Sequence, residues 1–87
     1  MKLRYDLVLR NVAGETILVP VGEAAKKYSG LFAINELGAF LWEHIPHVEN
    51  EVTLVDLVLE DYEVSRKEAE NDVREFLGKL RDMELLD

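Results

Sequence analysis

His44 and His47 stand three residues apart, just ahead of Glu49 and Glu51, and imidazoles with carboxylates are the residue types that hold a metal ion. The set works only if both rings reach one point. Pro46 lies between them and breaks the helix that would align them, so no metal is expected, and His44 has a plainer use at a helix C-terminus. The serines, Ser29 and Ser65, have no histidine and acid in motif context. The chain has no cysteine, which excludes disulfides and thiolate ligands, and its glycines punctuate turns rather than form a phosphate loop. Catalysis by this chain alone is not expected, and no cofactor is implied.

The stretch "LFAINELGAFLWEHI", Leu31 to Ile45, offers a different kind of chemistry. A four-residue apolar run suited to a strand meets Asn35, and an amphipathic helix pattern follows. Gly38 and Ala39 fall early in that helix, where a glycine costs about 1 kcal/mol relative to alanine. The small pair implies close packing on the first turns, expected from a helix or strand of the same domain rather than from a guest.

Length and charge bound the functions available. The 87 residues, 48% hydrophobic and 8% aromatic, make one globular domain, residues 1–87, too small for an enclosed cleft between domains. The formal charge is -8 and is unevenly spread: residues 1–48 carry five basic and five acidic side chains, residues 49–87 five and thirteen. Such a surface disfavours nucleic acid and anionic membranes and would attract a basic partner. Arg4, Asp6 and Arg10 interrupt every apolar run near the N-terminus, so neither a signal peptide nor a membrane span is expected, and a cytoplasmic location is the default.

Periodicity supplies the elements. Leu3, Tyr5, Leu7 and Leu9 alternate with the polar Lys2, Arg4, Asp6 and Arg10, with Val8 the exception, which predicts a half-buried strand over Leu3–Leu9. A turn around Gly14 leads into "TILVPV", a second strand, and the connector "GEAAKKYSG" delivers the chain to a third, Leu31–Ile34. Asn35 is the expected N-cap of a helix burying Leu37, Leu41, Trp42 and Ile45, and Thr53 that of a second helix with Leu54, Leu57 and Val58 on one face. Ser65 and Glu68 form a capping box for a third, with the stripe Ala69, Val73, Phe76, Leu77, Leu80. The predicted fold class is α+β, winged-helix-like, a three-stranded antiparallel sheet followed by three helices.

Several linked features resemble one family. They are Phe32-x-Ile34-Asn35 at a strand end, Gly38-Ala39 before Trp42, a Leu-rich second helix ending at Tyr62, and Asp-Val-x-x-Phe-Leu-x-x-Leu from Asp72 to Leu80. Over Leu31–Leu86 the chain resembles the PqqD-like proteins of pyrroloquinoline-quinone biosynthesis, also called RiPP recognition elements. The resemblance implies a peptide chaperone that binds the leader of a ribosomally made precursor peptide by strand addition and presents it to a modifying enzyme, often a radical S-adenosylmethionine (radical SAM) protein. It also implies that the leader pairs with the third strand, Leu31, Phe32, Ala33 and Ile34, and lies against Val73, Leu77, Leu80 and Arg81 of the third helix. Two positions depart from the pattern. Glu84 stands where the family usually has glycine, which implies a third helix running on toward Leu85, and the connector Gly22–Gly30 is longer than the family implies.

The residues reach a compatible reading unaided. With strands paired in chain order, the third is an edge whose unpaired N–H and C=O groups invite another strand, with Phe32 and Ile34 facing the core and Leu31 and Ala33 the other side. A free edge leaves a strand-exchanged homodimer open. The runner-up is a winged-helix nucleic-acid-binding regulator, but the third helix sets Arg66, Lys67, Arg74, Lys79 and Arg81 among Glu68, Glu70, Asp72, Glu75 and Asp82, too balanced for much counterion release. An acyl- or peptidyl-carrier protein would need an Asp-Ser-Leu attachment site, which "YSGL" and "VSRK" do not supply.

Overall fold

The computed structural model describes residues 1–87 as an antiparallel sheet in the order β1-β2-β3 backed by helices. β1 (Leu7–Val12) and β2 (Glu15–Pro20) form a hairpin in which Val12 faces Glu15. Its two-residue turn has both central residues in the left-handed region, Ala13 at φ 53° and Gly14 at φ 84°, a geometry that matches the right-handed twist of the strands. The predicted first strand begins later than expected. Leu3, Tyr5, Leu7 and Leu9 do face the core, but Leu3 bridges to Leu86 and the Arg4 amide donates to the Leu85 carbonyl at 2.9 Å. Alternation reports which face a side chain takes and is silent on which neighbour the backbone pairs with.

The connector also differs from expectation. It contains a short helix, α1 (Glu23–Lys27), with Ala24 fully buried, so the chain has four helices and not three. β3 spans Phe32–Ala33. α2 (Glu36–His44) is capped by the Asn35 side chain, which accepts from the Gly38 amide at 2.7 Å, and a 3-10 turn, Ile45–His47, follows around Pro46. α3 (Glu51–Asp61) starts earlier than Thr53, because Asn50 is its cap and accepts from both the amide and the hydroxyl of Thr53. α4 (Arg66–Asp82) begins at the predicted cap, Ser65, which accepts from the Glu68 amide.

α4 does not run on toward Leu85. Glu84 takes φ 62°, the left-handed conformation for which glycine is favoured, and the Leu85 amide closes back on the Leu80 carbonyl at 2.8 Å. Sixteen apolar residues make one buried cluster between the sheet and the helices, with Leu41, Ile45, Leu54, Val73, Leu77 and Leu85 among its fully enclosed members. Each such side chain contributes about 1.5–3 kcal/mol over an exposed one. No helix is long and apolar enough to cross a membrane.

Candidate functional site

The register decides which backbone groups of β3 are free. Ile17 faces Ala33, Leu18 faces Phe32, and the Ile34 amide donates to the Thr16 carbonyl at 3.1 Å. In an antiparallel ladder, successive residues direct their N–H and C=O groups to opposite sides. Phe32 and Ile34 therefore pair with β2, while Leu31 and Ala33 turn theirs to the outer edge, where no further strand of the sheet lies. Ala33 is the β3 residue whose donor and acceptor both meet that edge, and its side chain is exposed.

A groove of about 330 Å³ opens beside it. Its near side is Ala33 and Ile34, its floor Leu37, Gly38 and Leu41 of α2, and its far wall Asp72, Glu75, Phe76 and Lys79 of α4. These four wall residues recur at three- and four-residue spacing and so share one stripe of the helix. Ile34, Leu37, Leu41 and Phe76 make the interior apolar, and the charged side chains sit with them on the wall, with Lys79 3.5 Å from Glu75.

The expected site residues divide. Leu31 is 59% exposed, Ala33 is exposed, and Phe32 and Ile34 are partly buried, as an edge strand with one core face requires. Val73 and Leu77 have no exposed surface and Leu80 has 3%, so they lie in the core behind the wall rather than on it. Arg81 follows Asp72 by nine residues, roughly two and a half turns, which carries it to the opposite side of α4. There its Nε donates to the Asp87 carbonyl at 3.0 Å. The most apolar stripe of α4, which the resemblance implies as the wall, is the one that packs into the core. Phe76, at the margin of the stripe Ala69, Val73, Leu77, Leu80, is the aromatic residue of α4 that lines the groove.

Local packing fixes the edge. Ile34 lies over Gly38 so closely that a methyl group on residue 38 would fall 2.6 Å from Ile34 Cγ1, so the small residue admits the third strand of its own domain. At the other end of β3, Phe32 meets Tyr28 edge-on at 5.8 Å between ring centres, and Tyr28 meets Tyr5 likewise at 5.6 Å. The Tyr28 hydroxyl donates to the Met83 carbonyl, and burial raises its pKa. Lys27 reaches Glu84 at 2.5 Å; this hydrogen bond lowers the pKa of Glu84 and raises that of Lys27. The connector thus ties β3 to the end of the helix that faces it. His44 Nδ1 lies 2.8 Å from the Phe40 carbonyl at the C-terminal end of α2, and no three His, Asp or Glu side chains converge as a metal site.

Comparison with known proteins bears on the fold and the family. The solved structure of TbiB1 in complex with the TbiA(beta) leader peptide is 25% identical, with a TM-score of 0.73 over 100% of this chain and 95% of that one. Lasso peptide synthetase B1, complexed with the leader peptide, has a TM-score of 0.70 at 15% identity over 97% and 93%, a likeness of fold alone. No curated protein matches the chain. The family model described as coenzyme PQQ synthesis protein D matches residues 12–86, and the chain belongs to the PqqD family.

Proposed function

We propose that residues 1–87 act as one non-catalytic peptide-binding adaptor, which takes up the leader of a ribosomally made precursor peptide by strand addition and presents it to a modifying enzyme of the radical SAM type. The observation that carries the reading is the open edge at Ala33 beside an apolar groove. A guest strand paired there gains main-chain hydrogen bonds, while its alternate side chains enter the groove and select the sequence. The leader peptides bound by the two similar structures support the same class of guest. The guest contacts Leu31, Ala33 and Ile34 directly. Val73, Leu77 and Leu80 support the wall from behind, and Phe76 and Lys79 present it.

Titration of a leader peptide, taken from a short precursor encoded beside this chain's gene, into isotope-labelled protein tests the reading. Amide shifts are expected at residues 31–35 and along the Asp72–Lys79 face of α4. Shifts confined to α3, with residues 31–35 unmoved, would overturn it.

A further inference from the structure

The charges around the open edge are lopsided. On the groove side, Asp72 and Glu75 flank Phe76, and the single cation there, Lys79, is already beside Glu75 at 3.5 Å. On the other side of the Ala33–Asn35 corner lies a second, wider concavity between the hairpin tip and the start of α2. It is lined by Glu15, Thr16, Ala33, Asn35, Glu36 and Ala39, among others, and contains no cation. Glu15 and Glu36 are both exposed, and no ion pair engages either one.

The ladder says which guest side chains meet which concavity. Side chains directly across an antiparallel or parallel pair share a face of the sheet. Guest residues level with Phe32 and Ile34 therefore face the apolar groove. Those level with Ala33, or two positions on toward Asn35, face the opposite side, which Glu15 also occupies because it lies two residues from Ile17, the partner of Ala33. A long cationic side chain on that face can reach the unpaired carboxylates of Glu15 and Glu36, while an acidic one would be repelled.

Resting on the strand-addition reading, we propose that the second concavity is a selectivity site for lysine or arginine in the guest: the bound segment alternates an apolar residue, seated in the groove, with a basic one over the Ala33 face toward Asn35. The basic side chain sets which leaders are accepted, and the main-chain pairing sets that they bind at all.

Selection of a displayed library of random 12-residue peptides on the immobilised protein tests this. Enrichment of Lys or Arg at every second position beside apolar residues is expected. For one selected peptide, Lys→Met in the peptide and Glu15→Gln with Glu36→Gln in the protein should each weaken binding about 3- to 10-fold, and the two together little more than either alone. The thermal transition of the double variant verifies that it folds. If selected peptides lose binding with Ala33→Pro but show no basic preference or no coupling to Glu15 and Glu36, the selectivity site is overturned and strand addition stands. If nothing is enriched, or the peptides selected bind Ala33→Pro unchanged, both are overturned.

Discussion

Ile34 and Gly38 fit so tightly that a side chain on residue 38 must collide: Cγ1 and Cδ1 of Ile34 would lie 2.6 and 3.1 Å from its first carbon. The contact joins the strand that offers the open edge to the helix that floors the groove.

Gly38→Ala is therefore expected to destabilise the domain. Alanine's better helix propensity returns about 1 kcal/mol, but overpacking costs typically about 1–3 kcal/mol, and Asn35 Oδ1, 3.0 Å from the same point, must shift with its cap. Urea denaturation should show a net loss of about 1 kcal/mol. Ile34→Ala, added to it, should cost less in this background than in the natural chain. Full additivity of the two changes would mean that the clash is relieved without strain.

Phe76 and Leu77 separate groove from core. Leu77 has no exposed surface, so Leu77→Ala should cost about 2–5 kcal/mol of stability. Phe76 is partly exposed on the groove wall, and Phe76→Ala should weaken guest binding at least tenfold while lowering stability less than Leu77→Ala does. Denaturation and titration on both variants measure this, and equal binding losses at matched stability would contradict it.

Glu84 supplies a test on the backbone. At φ 62° a side chain is strained by about 1 kcal/mol, so Glu84→Gly should be more stable than Glu84→Ala by about that amount. The hydrogen bond from Lys27 holds the Glu84 carboxyl below its ordinary value of 4.5. A depressed folded pKa contributes stability above the ordinary value and loses it as pH falls through the folded one. Glu84→Gly lacks that contribution, so it should gain on the natural chain as pH drops below about 4.5. Thermal unfolding across pH 3–7 reads both effects.

These residues also show what the sequence could and could not express. Local signals were legible: the alternation of Leu3 to Leu9, the turn at Gly14, the caps at Asn35 and Ser65, and the buried stripe of α4 all follow from nearest neighbours in the chain. What escaped depends on distant partners. Ala24 lies in a polar, glycine-bounded connector and is buried only because α1 packs back on the fold, and the hydrogen bond from Tyr28 to Met83 spans 55 residues. Glu84 sits where propensity favours glycine, and its side chain is tied to Lys27, 57 residues away, while its amide donates to the nearby Arg81 carbonyl. Of the proposed site, the open edge of the third strand was legible in the strand order. The helix half was not, because periodicity finds the apolar face a helix gives to the core, whereas a groove is lined by that face's margin.

The most direct measurement is the affinity of a leader peptide for Ala33→Pro and Ala33→Val, with circular dichroism verifying both folds. Proline removes the outward N–H at the open edge, whereas valine keeps it together with a preference for extended backbone. Proline should weaken binding by about 1–3 kcal/mol, roughly 5- to 150-fold, and valine should bind within a few-fold of the natural chain. A folded Ala33→Pro that binds the peptide as tightly as the natural chain would contradict strand addition at this edge.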